Sequence, residues 1–341
     1  MRVKDKSLTG LVLEIQRMST EDGPGIRTTV FMKGCPMQCL WCHNPESIST
    51  QPQIHWIGMR CLGCKTCLET CTKAALTMKE SGVYINRVLC NGCGDCAETC
   101  PGNALELLGK RWTVVDLLHE ALKDREYYQK SGGGVTISGG ESTLQWKFVA
   151  ALLKGLKEQG IHTAIDTCGI ARKEALEAIL PFTDLVLYDL KEGDPRLHQE
   201  FTHAPLQPIL ETLNYLTEYM SEHSFPADLW IRTPLIPDCT ARKGNVEMIG
   251  GIITEKGKGV VSRWDLLAFN NLCKDKYFRL DLDWKFSRAE LLTHQTMEDL
   301  ADAARRSGVD PDIVKWSGST RLEEGEKEEI GHPQAKPVGG C

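Results

Sequence analysis

Residues 30–46 read VFMKGCPMQCLWCHNPE and contain three cysteines within eight positions. Cys35, Cys39 and Cys42 follow the spacing C-x3-C-x2-C, and no fourth cysteine accompanies them in this stretch. A four-iron cluster bound by three thiolates keeps one iron without a protein ligand, just as catalytic zinc sites keep an open position that structural sites close. The spacing therefore predicts a catalytic iron–sulfur site. The alternative is a closed cluster that a distant cysteine such as Cys168 completes.

The composition indicates an ordinary globular protein of one large domain, or of a large domain with a small insert. The 341 residues are 41% hydrophobic and 25% charged, and the net charge is −6. Nucleic-acid binding usually leaves a basic footprint, so this charge argues against a nucleic-acid partner. No apolar run approaches the roughly 20 residues that span a bilayer. The N-terminal MRVKDKSLTG also lacks the apolar stretch of a secretory signal. We therefore expect a cytoplasmic protein without a membrane partner.

Clustered cysteines indicate metal binding in a cytoplasmic protein, because disulfides are rare in the cytoplasm. Eleven of the fifteen cysteines fall between Cys35 and Cys100. The other four are scattered, and each is expected to be a small buried hydrophobe or a free thiol. They are Cys168, Cys239, Cys273 and Cys341.

Two further cysteine runs repeat one spacing. Residues 61–71 read CLGCKTCLETC and residues 90–101 read CNGCGDCAETCP, and each contains C-x2-C-x2-C-x3-C. The repeat is typical of bacterial two-cluster ferredoxins, in which the fourth cysteine of each run binds the other cluster. Zinc sites or disulfides are the alternative, and the first run has Thr72 where the second has proline. The expected ligands are Cys61, Cys64, Cys67, Cys71, Cys90, Cys93, Cys96 and Cys100.

Alternating strands and helices follow these runs. TVVDLLHEALKD begins with a Thr113 cap and has Asp116 three residues later, which is typical of a helix N-terminus. Six buried strands in βα order predict a parallel sheet with right-handed crossovers. Their sequences are GIRTTVFMKG, GGVTISGG, HTAIDTC, DLVLYDLK, DLWIRTPLIP and WDLLAFN. We also expect a last helix over 288–307 and a charged, disordered tail over 317–341.

The three-cysteine stretch resembles the signature of radical S-adenosylmethionine (SAM) proteins, in which an aromatic residue, here Trp41, precedes the last cysteine. With DGPGIRTTVFMKGC before it and HNPE after it, the stretch is similar to the enzymes that activate glycyl radical enzymes. The resemblance continues through GVTISGGE, GIHTAIDTCG, DLVLYDLK and WIRTPLIP, and covers about residues 9–285. The eight-cysteine insert resembles the subgroup that serves decarboxylases, benzyl- or alkylsuccinate synthases, and choline or diol lyases.

This resemblance implies an α/β fold, namely a partial (β/α)6 radical SAM barrel with an inserted ferredoxin-like domain that holds two [4Fe-4S] clusters. The site of such a fold lies at the carboxyl ends of the strands. The expected segments are the first part of the core with the cluster loop, the insert, the remainder of the core and the tail. Their boundaries are 1–52, 53–108, 109–316 and 317–341.

The resemblance also implies an oxidoreductase that cleaves SAM reductively to methionine and a 5′-deoxyadenosyl radical. One SAM-binding cluster and two insert clusters make three [4Fe-4S] clusters. The radical takes a hydrogen from a backbone glycine of a partner, the glycyl radical enzyme. A flavodoxin or a ferredoxin-type protein is the implied electron donor.

The same resemblance implies the residues around SAM. Trp41, Cys42 and His43 contact the adenine mostly through their backbone, and the GGE motif over 139–141 receives the SAM amino group. A plain strand-end turn is the alternative for this motif. In the family, proline often follows the glutamate, whereas this sequence reads GGEST. Asn270 stands where the family often has histidine. In chain order the implied contacts are Trp41, Cys42, His43, Gly139, Gly140, Glu141, Asp166, Thr167, Asp189, Leu190, Lys191, Arg232 and Asn270.

Charged residues at predicted strand ends are implied to hold the polar parts of SAM. Asp166 and Thr167 help to bind its carboxylate, with an intervening cation because two carboxylates repel each other; a helix cap is the alternative. Asp189 and Lys191 are two apart on a strand and share a face. They are implied to bind the ribose and the carboxylate, and a mutual ion pair is the alternative. Arg232 is implied to lie near the carboxylate or the partner peptide.

Two other functions remain open from the sequence. The first is another radical SAM enzyme that acts on a different peptide or on a small molecule. The second is a non-catalytic electron carrier with three closed clusters. Formation of 5′-deoxyadenosine after anaerobic reduction separates an enzyme from a carrier.

Overall fold

One large sheet organises the protein, whose computed structural model describes residues 8–257 and 259–321. The strands in this described part are β1 (Thr9–Ser19), β2 (Arg27–Met32), β3 (Gln53–Trp56), β4 (Leu76–Lys79), β5 (Gly82–Ile85), β6 (Leu105–Leu108), β7 (Lys110–Thr113), β8 (Gly134–Gly139), β9 (His162–Thr167), β10 (Leu185–Asp189), β11 (Asp228–Leu235), β12 (Val261–Ala268) and β13 (Val314–Ser317). Nine of them form the large sheet in the order β13-β12-β11-β10-β9-β8-β2-β1-β7. The first and last strands of this order are not paired with each other, so the sheet is an open, partial barrel.

The parallel part of the sheet contains the six strands that the sequence predicts, β2 and β8 to β12. A seventh parallel strand, β13, pairs with β12. At the other edge β1 pairs antiparallel with both β2 and β7. The sequence therefore predicts the parallel order correctly but misses the three strands at the edges.

Helices cover the sheet and bury its apolar side chains. In the described residues they are α1 (Thr66–Thr70), α2 (Asp95–Glu98), α3 (Val114–Leu122), α4 (Arg125–Ser131), α5 (Trp146–Glu158), α6 (Lys173–Ile179), α7 (Pro195–Thr202), α8 (Gln207–Glu222), α9 (Lys243–Lys256), α10 (Lys274–Arg279) and α11 (His294–Arg305). The main core lies between the sheet and α3, α5, α6, α8, α9 and α11. Strands such as β8 are almost wholly buried, as expected of parallel strands covered on both faces.

Local sequence explains where the helices begin and which face they bury. The Thr113 hydroxyl accepts a hydrogen bond from the Asp116 backbone N–H at 3.1 Å, which confirms the predicted cap of α3. On α5, Leu152 and Leu156 recur at helical spacing and are fully buried in the main core. These helices close the outer side of the sheet and leave the ends of its strands open for loops.

The insert between β2 and β7 has its own small core. Strand β3 pairs with β6, and β4 pairs with β5, both antiparallel. The short helices α1 and α2 carry Cys67 and Cys96, which are buried. The buried members of this core are Ile54, Cys67, Leu76, Val83, Ile85, Cys96 and Leu105.

The C-terminal expectations need correction. The last helix begins at His294, not at 288, because the Thr293 side chain caps it there. The predicted tail begins too early, since Ser317 ends strand β13 and Arg321 forms a parallel bridge with Thr293. The remainder of that predicted tail, 322–341, lies outside the described residues. Across the described part of the chain, no helix is both long and apolar enough to span a bilayer.

Candidate functional site

A cavity of about 420 Å³ lies at the carboxyl ends of the parallel strands. Parallel strands end at one edge of their sheet, so loops that are distant in sequence meet there. Twelve of the fifteen residues that the sequence analysis implies around the cluster and SAM line this cavity. They are Cys35, Cys39, Trp41, Cys42, His43, Gly139, Gly140, Asp166, Asp189, Lys191, Arg232 and Asn270.

The three thiols of the loop are strongly desolvated. Burial raises the pKa of Cys39 to about 12, and it raises the pKa of Cys42 well above its usual range. The thiolate is the form that binds metal, and burial disfavours it as long as no cation is present. These two positions therefore favour a thiolate bound to a cation over a free thiolate. A side-chain hydrogen bond with Cys168 lowers the pKa of Cys35.

The three thiols of the loop line one cavity, which is compatible with a bound cluster. In residues 8–257 and 259–321, no three His, Cys, Asp or Glu side chains form a group that could hold one metal ion. In a four-iron cluster each thiolate binds a different iron, so the ligands surround a body instead of meeting at a point. Cys35, Cys39 and Cys42 line one cavity in this way, and the residues present fit a [4Fe-4S] cluster.

The loop that carries Cys35, Cys39 and Cys42, here the cluster loop, forms backbone hydrogen bonds with the end of α7. The Gln38 N–H donates to the Thr202 carbonyl and the Leu40 N–H to the Phe201 carbonyl, both at 2.9 Å. Trp41 packs edge-on against the Phe201 ring and is almost fully buried. The Trp41 side chain is therefore part of a second hydrophobic core under the loop as well as of the cavity wall.

The segment around α10 holds the loop from its other side. The Tyr277 hydroxyl donates to the Cys42 carbonyl at 2.8 Å, and the Trp284 indole donates to the Leu40 carbonyl at 3.0 Å. The two rings stack with centroids 5.1 Å apart. Lys276 forms an ion pair of 2.8 Å with Glu46 of the HNPE motif. The sequence analysis assigned no role to this segment.

A chain of charges crosses the cavity floor from β8 to β11. The Arg232 guanidinium lies between two carboxylates, at 2.5 Å from Asp166 and 3.2 Å from Asp189. Asp189 also forms an ion pair with Lys191, and the Ser138 hydroxyl donates to Asp166 at 2.6 Å. Two carboxylates and two cations thus share the floor without a net charge.

The pKa values of this chain follow from burial and pairing. Burial raises the pKa of Asp166 to about 6, and Arg232 offsets only part of the effect. Burial also acts on Asp189, but Lys191 and Arg232 outweigh it and hold the pKa of Asp189 below its usual range. Burial opposes the charged form of Lys191, yet Asp189 raises its pKa well above the ordinary value. Lys191 and Arg232 are therefore cations that a ligand carboxylate can meet.

The two glycines of the GGE motif fit closely against the cluster loop. Gly139 has φ of 110°, and a Cβ on it would lie 2.3 Å from the Met32 nitrogen. A Cβ on Gly140 would lie 2.1 Å from the Gly34 carbonyl oxygen. Because only glycine permits both contacts, the motif sets the β8 end directly against the start of the cluster loop.

The Glu141 side chain turns away from the cavity into the protein. Its carboxylate accepts hydrogen bonds from the Thr143 N–H at 3.0 Å, the Thr167 hydroxyl at 2.8 Å and the Cys168 N–H at 2.8 Å. Both Glu141 and Thr167 are buried, and neither lines the cavity. Their side chains tie the β8 end to the β9 end, so only their backbone is left to contact a ligand.

Leu190 is the third implied residue that the cavity does not include. Its side chain is fully buried in the main core, and its N–H donates to the Arg232 carbonyl at 3.0 Å. Asn270 does line the cavity, and its side-chain oxygen accepts from the Leu272 N–H at 3.2 Å. This local bond fixes the amide beside His43, whose pKa burial lowers.

The Radical SAM superfamily model matches residues 29–241. Trans-4-hydroxy-L-proline dehydratase activating enzyme of Clostridioides difficile is 38% identical over 85% of this chain and 94% of its own. Benzylsuccinate synthase activating enzyme of Thauera aromatica is 36% identical over 88% and 91%. A solved domain of pyruvate-formate lyase-activating enzyme from Bacteroides vulgatus is 26% identical, covers 55% of this chain and 100% of that one, and has a TM-score of 0.44.

This chain belongs to the radical SAM superfamily, among the activating enzymes of glycyl radical enzymes. Membership implies a [4Fe-4S] cluster and SAM as cofactors, and a glycyl radical enzyme as the partner. The relatives include a benzylsuccinate synthase activase and a choline trimethylamine-lyase activase, in accordance with the subgroup that the sequence resembles.

Sequence reasoning missed several cavity residues of this activating enzyme. Asp22 lies at the cavity wall, and its carboxylate accepts from the Ser19 and Thr29 hydroxyls at 2.6 Å each. It belongs to the DGPGIR motif, which could have suggested it. Cys168, by contrast, is the distant cysteine that the sequence names as the alternative fourth ligand, and it lines the cavity beside Cys35.

The insert of the activating enzyme contains two smaller cavities, and their thiols cross between the two cysteine runs. The first cavity is lined by three cysteines of the first run and the last cysteine of the second: Cys61, Cys64, Cys67 and Cys100. The second is lined by the last cysteine of the first run and three of the second: Cys71, Cys90, Cys93 and Cys96. Burial raises the pKa of Cys96 to about 12, and Cys90, Cys93 and Cys71 add to this effect.

Proposed function

We propose that this activating enzyme cleaves SAM reductively at the three-cysteine cavity and takes a hydrogen from a backbone glycine of its partner. The observation that carries the proposal is the cavity itself. It brings Cys35, Cys39 and Cys42 together with the charged chain of Asp189, Lys191 and neighbouring residues. A closed electron-transfer site has no use for a large charged cavity beside its thiols.

The residues of the chain then divide the work of holding the cofactors. The three cysteines hold the [4Fe-4S] cluster, which when bound supplies the electron for SAM cleavage. The amino-acid part of SAM carries one ammonium and one carboxylate. The backbone of the GGE motif is proposed to receive the first, and the cavity floor offers the cations of Lys191 and Arg232 to the second. Burial of the floor excludes water and strengthens these contacts.

The fold also leaves a path for the hydrogen donor. Because the sheet is open, a peptide can enter the cavity from the side. A backbone glycine is a suitable donor, since it has no side chain that blocks approach. The reacting atoms have to be in contact for hydrogen transfer, so cleavage produces a glycyl radical only when the partner is bound.

We propose that the insert over 53–108 is a ferredoxin-like domain with two [4Fe-4S] clusters, which gives three clusters in all. The crossed cysteine sets of its two cavities support this assignment, because exchange of the fourth ligand is typical of two-cluster ferredoxins. The residues present therefore fit two closed four-thiol sites. A flavodoxin or a ferredoxin-type protein is the proposed electron donor, and the cytoplasm is the proposed compartment.

Partners of the relatives indicate the class of enzyme to test. Their names specify trans-4-hydroxy-L-proline dehydratase, isethionate sulfite-lyase, benzylsuccinate synthase and choline trimethylamine-lyase. The test incubates the anaerobically reconstituted, reduced activating enzyme with SAM and each of these four enzymes. We expect 5′-deoxyadenosine in every reaction and a glycyl radical, detected by electron paramagnetic resonance, in the cognate enzyme. Abundant 5′-deoxyadenosine without a radical in any partner would favour another radical SAM reaction.

A non-catalytic carrier is the second candidate, because Cys168 lies at the cavity beside Cys35 and could complete a closed cluster. The Cys168→Ala variant separates the two. If the site is open, this variant keeps its cluster and its SAM cleavage. If Cys168 is the fourth ligand, the variant loses iron, and the unaltered protein forms no 5′-deoxyadenosine.

A further inference from the structure

Exposed apolar side chains gather where the insert meets α10. On the insert, Val88 is 93% exposed and Leu89 is also exposed. In and around α10, Phe278 is 77% exposed, and Leu272 and Leu282 also face solvent. We name these five residues the junction surface. Single exposed apolar side chains are ordinary, whereas a group of them marks a site of association.

The two halves of the junction surface are joined by one arginine. The Arg87 guanidinium donates to the Arg279 carbonyl at 3.2 Å and to the Asp281 carboxylate at 3.0 Å. Val88 directly follows this arginine. Phe278 precedes the first acceptor, and Leu282 follows the second. The insert and the core therefore meet at Arg87, and exposed apolar residues adjoin this contact on both sides.

Helix α10 connects this surface to the SAM cavity. Its inner face is buried and includes Tyr277, which donates to the Cys42 carbonyl of the cluster loop. Its outer face exposes Phe278, the next residue. Asn270 lines the cavity, and its side chain bonds the N–H of Leu272, so the surface begins at the cavity rim.

We propose that the junction surface is where the glycyl radical enzyme docks, which rests on the function proposed above. The glycine of the partner has to enter the cavity. The rest of the partner therefore has to cover the cavity rim and the protein surface next to it. The junction surface continues from the rim, because Asn270 at the cavity and Leu272 are joined by a hydrogen bond of 3.2 Å. The partner patch that fits it is apolar, and the insert then contributes directly to partner recognition.

The test measures partner affinity in the holoenzyme. The probe is whichever of the four glycyl radical enzymes acquires a radical in the assay above. Phe278→Glu places a charge in the proposed interface, and we expect it to weaken binding about tenfold or more. Val88→Glu is expected to act in the same direction from the insert, independently of any effect on α10. Tyr127→Glu is the matched control, because Tyr127 is an exposed aromatic residue on α4, which leads into the opposite end of β8.

Cleavage of SAM with dithionite and no partner keeps the two proposals distinct. We expect all three variants to keep this activity and their iron content, while the two junction variants lose radical formation. Unchanged partner affinity in both junction variants overturns the docking surface. Selective loss of flavodoxin-driven cleavage also overturns it, because this result assigns the surface to the electron donor. A change from dimer to monomer overturns it as well, because this result assigns the surface to a second copy of the chain. Failure of the unaltered enzyme to cleave SAM overturns the proposed function first.

Discussion

The cluster loop and the insert both place cysteine side chains in cavities, but the cavities differ in size and in their other lining residues. The three loop thiols and Cys168 share a cavity of about 420 Å³ with four carboxylates, a lysine and an arginine. In the insert, each small cavity has four thiols; the neighbours are mostly apolar in the first cavity and half apolar in the second. The difference teaches that the size of the cavity and the charged groups beside the thiols distinguish the proposed SAM site from the two proposed electron-transfer sites.

The two regions also differ in what supports them. The loop packs on a hydrophobic core of its own, which includes Trp41, Phe201 and Trp284. Cys35 and Cys39 of the loop also pack against the main core. The insert has a core of seven buried residues, of which Cys67 and Cys96 are two. So small a core rarely folds without metal or disulfides. We therefore expect the insert to depend on its proposed clusters for structure, whereas the loop depends on the rest of the protein.

The largest expected effect separates the two regions by activity. Cys39→Ala removes a ligand of the open cluster, so we expect SAM cleavage to fall to background while the insert clusters remain. Cys93→Ala removes a ligand of the second insert site, and dithionite-driven cleavage should persist in part. High-performance liquid chromatography of 5′-deoxyadenosine measures both. If the Cys93 variant matched the unaltered enzyme in every electron-transfer and activation assay, a relay role for the insert would be untenable.

The second effect concerns metal content. Eleven clustered thiolates predict three four-iron clusters and therefore about 12 irons per chain after anaerobic reconstitution. Iron and sulfide analysis checks this number. A chelator should then unfold the insert before the sheet, which hydrogen exchange resolves through early loss of protection in β3 to β6. A plateau near four irons contradicts the assignment of the insert.

The third effect is smaller and compares two buried charges of the same site. Lys191→Met removes a cation from the cavity floor, so we expect SAM affinity to fall about tenfold to a hundredfold. Glu141→Gln disturbs the hydrogen bonds that join the ends of β8 and β9, and should lower stability by about 1–3 kcal/mol. Calorimetric titration of SAM and thermal unfolding distinguish the two. Equal losses of SAM affinity would show that Glu141 acts at the cavity after all.

Much of this arrangement follows from local sequence. The six parallel strands are short apolar runs, and polar residues at their ends converge because parallel strands end at one edge. That is why Asp166, Asp189 and Arg232, which the resemblance implies around SAM, lie together although they are far apart in the chain. The cap at Thr113 is also a local signal, since both bonding groups lie within four residues.

Other features depend on contacts that sequence spacing does not reveal. Tyr277 and Trp284 hold the cluster loop across more than 230 positions, and nothing in their own segment indicates that role. Glu141 follows two glycines at a strand end, yet its direction is set by the Thr167 and Cys168 donors of the next strand. Strand β1, next to the edge strand β7, alternates half-buried and exposed residues from Leu13 to Met18, a period-two signal that the predicted strands do not include.

The most direct measurement follows the hydrogen itself. The cognate glycyl radical enzyme is prepared with deuterium on the α-carbon of its radical-forming glycine and is mixed with the reduced activating enzyme and SAM. The account predicts deuterium in 5′-deoxyadenosine, and no competent radical when that glycine is changed to alanine. Transfer of deuterium from a labelled small molecule at catalytic turnover, with no partner present, would contradict it.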